Sequence, residues 1–251
     1  WRHSLRDVLK ILKHFMIETR VARRFLAALV CSDEDRQYLE ARGLHNVWVV
    51  PNGTDLAAAQ VAHEADVNVY RLAFMGNLSY APNADAVAFL TGAVLPLAAG
   101  RIGNMRLDIF GPNAPDKSPD DPWSVYRGFV PDIAAELSAC DVFVAPIRFG
   151  SGTKLKIIDA MAMRMPIVTT SVGAEGLGLT HGVSAMIAES AQDLAQALVT
   201  LRRDPALAQR LGEEASRIAN ENFRWESIRR ATAEWLSGLA GGLPSSRLSE
   251  R

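Results

Sequence analysis

Cysteine is scarce in this sequence: only Cys31 and Cys140 occur among 251 residues, far apart and outside any metal or redox spacing. That excludes a disulfide framework and points to a reducing compartment, the cytoplasm. A surplus of either charge is also lacking. With 27 lysines and arginines against 28 acids, the net charge is −1, so no nucleic-acid partner is expected. Long apolar runs are missing. Phe25–Cys31 is among the longest at seven residues, against the roughly 18–20 that a membrane-spanning helix needs. No signal peptide is read, because the basic start is followed by mixed polar and apolar residues. Gly and Pro, at 18 and 12, stand near average usage, which removes collagen-like and low-complexity readings. The chain opens on Trp1 rather than Met and reads as a fragment whose natural start lies upstream.

What is present is the mixture of a soluble globular protein, 49% hydrophobic and 22% charged, long enough for one large domain or one domain and part of another. Short apolar runs alternate with amphipathic stretches, the pattern of a parallel α/β fold with helices on both faces. A helix is expected over 4–27, a strand over 28–31, a helix over 33–42 capped by Ser32, and a strand over 47–50 closed by Pro51-Asn52-Gly53. Residues 56–69 read as a connector. Beyond it, strands are expected at 72–75, 105–110, 125–129, 142–145, 166–170 and 184–188. Helices are expected at 83–98, 131–138, 153–163, 191–203, 205–220 and 225–238, with 76–82 and 112–123 as loops. The domains are placed at 1–55 and 56–238, followed by a flexible tail over 239–251. No internal repeat is found.

In an open parallel sheet, ligands bind beyond the carboxyl ends of the strands. The loop Arg148-Phe149-Gly150-Ser151-Gly152-Thr153-Lys154 follows a strand and leads into a helix. Gly150 and Gly152 permit close backbone approach, the helix N-terminus favours an anion, and Ser151, Thr153, Arg148, Lys154 and Lys156 supply donors. The loop therefore reads as a phosphate cradle, although neither Walker nor dinucleotide-fingerprint spacing is present. The bland alternative is an ordinary strand-to-helix connection with solvated lysines. Asp159, three residues after Lys156, is placed either to grip sugar hydroxyls or to form a simple salt bridge with that lysine.

The run Pro146–Ala162, followed by Pro166-Ile167-Val168-Thr169-Thr170, resembles the donor-site segment of retaining GT-B glycosyltransferases of family 4, group 1. Val49–Asp55, with Gly53 in its turn, resembles the opening of their C-terminal domain. Phe74-Met75-Gly76-Asn77-Leu78 and the stretch from Leu107 to Gly111 resemble its first two units. Gly128-Phe129-Val130-Pro131-Asp132 resembles the base-contacting segment, and Val172–Leu177 the following loop. The resemblance spans roughly residues 46–238, and residues 1–44 look like the end of the family's N-terminal domain.

The resemblance implies a Rossmann-like donor domain for a nucleotide-sugar, a UDP- or GDP-sugar, with no metal and no further cofactor. Gly53, Gly76, Asn77, Gly111, Phe129, Val130, Gly150, Ser151, Gly152, Thr153 and Asp159 are the expected binding positions. Lys154, Lys156 and Arg148 are expected to stabilise the departing diphosphate. The sequence departs from the family pattern where Ser151 replaces the first acid of the usual pair, and where Asn77–Pro82 lacks the usual loop cations. The Gly-Ser-Gly-Thr-Lys-x-Lys form resembles a subgroup associated with polysaccharide biosynthesis. A glycan or lipid-linked acceptor is expected on the N-terminal domain, so that these residues alone would hold a donor without transferring it. A sugar-nucleotide epimerase and a non-catalytic nucleotide-binding module are the alternatives.

Residues 1–24 carry seven basic side chains and two acidic ones, a net of +5. Such a helix could touch anionic lipid at the inner face of the membrane, or pack as a solvated helix on its own domain. His3, His14, His45, His63 and His181 show no metal-ligand spacing, and Trp123, Trp225 and Trp235 fit packing.

Overall fold

The computed structural model describes residues 9, 13, 16–57, 69–115, 121–150 and 152–241. They fall into two compact units, residues 1–52 with 228–251, and residues 53–227. The boundary thus lies at Gly53, and residues 228–238 group with the first unit rather than with the second, where the sequence reading had placed them.

In the first unit, β1 (Ala28–Val30) pairs in parallel with β2 (Val47–Val49), Ala28 opposite Val47, and α1 (Asp33–Glu40) connects them. Ser32 caps α1 by accepting a hydrogen bond from the Asp35 N–H at 3.1 Å, with Asp33, Glu34 and Asp35 in the first turn, where a helix end favours negative charge. Trp48 stacks on Trp235 with ring centroids 4.8 Å apart. Of the helix expected over 4–27, residues 9, 13 and 16–27 are described; Ile17–Val21 and Ala22–Arg24 are helical, and the chain leaves the helix at Phe25.

The second unit is a six-stranded parallel sheet of β3 (Tyr70–Met75), β4 (Met105–Phe110), β5 (Ser124–Gly128), β6 (Val142–Ala145), β7 (Ile167–Thr169) and β8 (Met186–Ile187), ordered β5-β4-β3-β6-β7-β8. Leu72–Met75 of β3 and all of β6 read as unbroken apolar runs, as strands buried on both faces do. Leu72, Ala73, Phe74 and all of Val142–Ala145 are fully buried. The helices are α2 (Ala81–Ile102, with a π-helical turn at Leu90–Val94), α3 (Ile133–Ser138), α4 (Leu155–Ala162), the short α5 (Ser171–Ala174), α6 (Ala191–Arg203) and α7 (Pro205–Asn222). A last helix, α8 (Trp225–Gly241), begins in this unit and ends in the other.

Several boundaries differ from expectation, most by one to three residues. α2 starts at Ala81 rather than 83 because Pro82 fits the first turn, where its missing N–H costs nothing. It then runs on to Ile102. By length and composition α2 could cross a membrane, but its Ala86, Val87, Leu90, Val94, Leu95 and Ala98 face is packed into the core. α4 starts at Leu155, not Thr153, because Gly150 and Gly152 hold positive φ (110° and 81°) and keep the preceding loop out of helical geometry. β8 is confined to Met186–Ile187, with Ala185 bridged to His181 instead. The short α5 was not foreseen. Of the connector 56–69, only 56, 57 and 69 are described, and the tail beyond Gly241 lies outside the described residues.

The Asp108 charge is wholly buried. Asp108 on β4 accepts hydrogen bonds from Arg71 (3.0 Å), Arg106 (3.1 Å) and Arg127 (2.7 Å). Arg127 is the extra residue of a register shift between β4 and β5, where Tyr126 and Gly128 oppose Ile109 and Phe110.

Candidate functional site

The chain lays down β3, β4 and β5 outward in one direction, then returns to place β6 beside β3 and continues the other way. The carboxyl ends of β3 and β6 therefore flank the point where the strand order reverses, the place where a crevice opens in such sheets. A cavity of about 220 Å³ lies there, lined by Tyr80, Pro82 and Asn83 after β3 and by Gly150, Lys154 and Lys156 after β6. Ile147, Phe149, Thr153 and Leu155 complete its wall.

The turn after β3 is tightly built. The Gly76 N–H donates to the Phe110 carbonyl at 2.9 Å. Asn77 Oδ1 accepts from the Ser79 N–H (2.9 Å), the Ser79 hydroxyl (2.8 Å) and Asn113 Nδ2 (2.8 Å). Gly111 adopts φ +133°, and a Cβ there would stand 2.2 Å from the Gly76 carbonyl oxygen. Glycine at 111 is thus what lets the ends of β3 and β4 close on each other.

Lys156, on the first turn of α4, reaches this turn. Its Nζ donates to Asn83 Oδ1 and stands 4.8 Å from the centroid of the Phe74 ring. A Cβ on Gly76 would lie 2.7 Å from that Nζ. Burial lowers the Lys156 pKa to about 8, because an ammonium removed from water loses hydration that an amide and a ring replace only in part.

The other two cations are committed elsewhere. Lys154 is buried and donates to the carbonyls of Gly150 (3.2 Å) and Gly152 (2.8 Å), with Glu175 at 3.8 Å; it stitches its own loop shut along one wall of the cavity. Arg148 pairs with Asp85 of α2, Nε to Oδ2 at 2.8 Å, and lies over the Phe89 ring.

Asp159 makes no salt bridge to Lys156; it accepts the Thr54 hydroxyl at 2.6 Å. Burial raises its pKa, and the Thr54 hydrogen bond opposes that rise. Thr54 also accepts the Leu56 N–H through its hydroxyl and donates its own N–H to the Phe223 carbonyl, so the turn carrying buried Gly53 is pinned beside α4.

The structure thus brings Gly150, Thr153, Lys154 and Lys156 to one cavity, while Gly76 and Asn77 stand in the turn beside it, next to Lys156 Nζ and Asn83 Nδ2. Arg148, Asp159, Gly111, Gly152, Phe129 and Val130 do not line it. Phe129 is 78% exposed at the end of β5. Ser151 lies outside the described residues. Tyr80, Pro82 and Asn83 were missed by sequence reading; a proline two residues after a tyrosine at a strand-end turn was the available signal. Among the described residues no cluster of metal-ligating side chains occurs. His181 instead accepts the Ile187 N–H through Nδ1 at 3.0 Å.

A family model described as glycosyl transferases group 1 matches residues 69–204. An uncharacterized 44.6 kDa protein of the cps region of Klebsiella pneumoniae is 26% identical over 170 residues, covering 63% of this chain and 44% of its own length. A lipopolysaccharide core biosynthesis mannosyltransferase, LpcC of Rhizobium leguminosarum, is 25% identical over 96% of this chain and 74% of its own. Among solved structures, Anabaena Alr3699/HepE in complex with UDP superposes with a TM-score of 0.74 at 19% identity, covering 94% of this chain and 69% of that one. That likeness establishes the fold. The chain spans less than half the length of the Klebsiella protein.

Proposed function

The chain belongs to the group 1 glycosyltransferases, and from that membership we propose that residues 53–227 hold a nucleotide-sugar donor, a UDP- or GDP-sugar, for retaining transfer to a glycan or lipid-linked acceptor in polysaccharide or lipopolysaccharide assembly. The observation that carries this reading is the position of the cavity: it lies at the strand-order reversal, with a desolvated ammonium under one glycine turn and a glycine loop opposite. A diphosphate needs close-approaching backbone and fixed positive charge, and both converge here. The Anabaena relative is a UDP complex, and the Rhizobium relative is named a mannosyltransferase of lipopolysaccharide core synthesis; both agree with the reading.

Transfer breaks the bond between the anomeric carbon and the β-phosphate oxygen, and the electron pair leaves with the diphosphate. Lys156, with the loop backbone from Gly150 to Thr153, would stabilise that growing charge without a divalent ion. Lys154 contributes by holding the loop closed. Asp159, fixed by Thr54, would take the ribose hydroxyls. A cytoplasmic location, with the basic N-terminal stretch against the inner face of the membrane, is part of the same proposal.

Calorimetric titration with UDP- and GDP-sugars tests it. One of these should bind, and Asp159→Ala should lose about 1.5–3 kcal/mol, the range for a hydrogen bond to a charged group, or about 10- to 150-fold in affinity. Wild-type-like binding by Asp159→Ala would remove that carboxylate from the site.

A further inference from the structure

We propose that Asn83 is a positioning residue: it holds the Lys156 ammonium at the β3 turn, so that a cation carried by α4 does the work that the turn, lacking basic residues of its own, cannot do. The inference rests on the donor-site reading above. Three groups meet at one point, for a Cβ built on Gly76 would lie 2.6 Å from Asn83 Nδ2 and 2.7 Å from Lys156 Nζ. Asn83 is 6% exposed, and both ends of its amide are in use. Nδ2 donates to the Asn77 carbonyl at 2.8 Å, and Oδ1 accepts from Lys156. The amide cannot be turned over without setting its NH₂ group against the ammonium, so the bond to Asn77 fixes the acceptor that faces Lys156.

The chemistry of the acceptor matters. An amide oxygen orients an ammonium without cancelling its charge, and the Phe74 ring beneath does the same. Arg148 is cancelled by Asp85, and Lys154 is bound to two carbonyls with Glu175 nearby. Lys156, with no carboxylate within 4 Å among the described residues, is left to face an anion while its amine is protonated. Lys154 and the Tyr80 phenol share the cavity wall with Lys156, while Asp85, on α2 with Asn83, is held by Arg148 and Asp159, on α4 with Lys156, is held by Thr54. None of them contributes to its shift, whose cause is burial. A carboxylate in place of the amide would pair with the ammonium and repel a phosphate.

The test uses the full chain with lysines labelled with ¹³C at Cε, so that the Lys156 amine is titrated by NMR and assigned by its loss in Lys156→Met. In the wild type it should titrate near pH 8. In Asn83→Asp the midpoint should rise by about one to three pH units, the shift that an opposite charge at contact produces. UDP and GDP are titrated in parallel between pH 6.5 and 9.5. Wild-type affinity should decline as the amine loses its proton. Asn83→Asp should bind at least tenfold more weakly at pH 7, and its decline should move to higher pH. Asn83→Ala, which cannot pair with the amine, should weaken binding without raising the midpoint; if Asn83→Asp fails to fold, this variant with its unraised midpoint carries the test. An Asn83→Asp protein with an unmoved midpoint, or an Asn83→Ala protein that binds as the wild type does, overturns the inference while leaving the donor site standing. A wild type that binds neither nucleotide removes the donor reading and the inference with it.

Discussion

Asp108 shows how much one buried side chain can organise. Its burial disfavours the charge, yet hydrogen bonds from Arg127, Arg71 and Arg106 outweigh that cost and hold its pKa below the ordinary carboxylate value. A carboxylate with a depressed folded pKa adds stability above its unfolded pKa, and that stability is lost as pH falls through the folded value. Asp108→Asn should therefore cost about 3–5 kcal/mol in urea unfolding at pH 7, since it leaves three guanidinium groups half-buried around a neutral amide. The same variant should show a flatter loss of stability below about pH 4. A cost under about 1 kcal/mol would mean that the cluster is solvated rather than structural. Lys156 shifts stability with pH in the same direction but for a different reason: burial disfavours its charged form. Its folded amine releases its proton near pH 8 and its unfolded amine near 10.5, so the unfolded state binds more protons between these values. Stability from this group rises with pH across that window. The urea midpoint of the wild type, relative to Lys156→Met, should climb between pH 8 and pH 10; a constant difference would show that the amine is not buried.

At the scale of elements, close approach rather than propensity sets several positions. A Cβ on Gly212, in α7, would lie 2.2 Å from the carbonyl oxygen of Arg164, just before β7. That neighbour is backbone and cannot swing aside. Gly212→Ala should thus cost about 1–3 kcal/mol, as overpacking generally does. Gly92, in the π-helical turn of α2, has nothing within 4 Å of the equivalent point. There Ala should be neutral or stabilising by up to about 1 kcal/mol, because only chain entropy and helix propensity are at stake. Thermal unfolding of the two variants side by side separates the cases, and equal effects would refute the packing argument. Element identity was legible because each strand is a compact apolar run and each helix keeps its period. Element ends were less legible: Pro82 starts α2 early, and the positive-φ glycines of the 150–152 loop start α4 late.

At the scale of the molecule, strand order places the site. Because β6 returns to lie beside β3, the turn after β3 and the loop after β6 face each other although some 70 residues separate them. Fixed positive charge in that crevice would make a divalent ion unnecessary for holding the donor. EDTA should leave UDP-sugar affinity unchanged within about twofold, a difference worth under ~0.5 kcal/mol. Binding abolished by EDTA and restored by manganese would reassign the diphosphate to a metal-dependent mode.

By itself the sequence determined the α/β class, the succession of strands and helices, and the loop around Gly150 and Gly152 as a strand-end loop leading into a helix. These rest on local signals: hydrophobic period, turn residues and glycine spacing. It also supplied the motifs that resemble the family to which the chain belongs. Which partner each cation of that segment meets was decided only by the tertiary structure. Arg148 is neutralised by Asp85 from 63 positions away, Asp159 is held by Thr54 from 105 away, and Lys156 is held by Asn83 from 73 away. Each partnership depends on strand order bringing distant loops together. No local pattern contains that information, because an arginine, a lysine and an aspartate read alike in sequence whether or not a partner faces them in the fold.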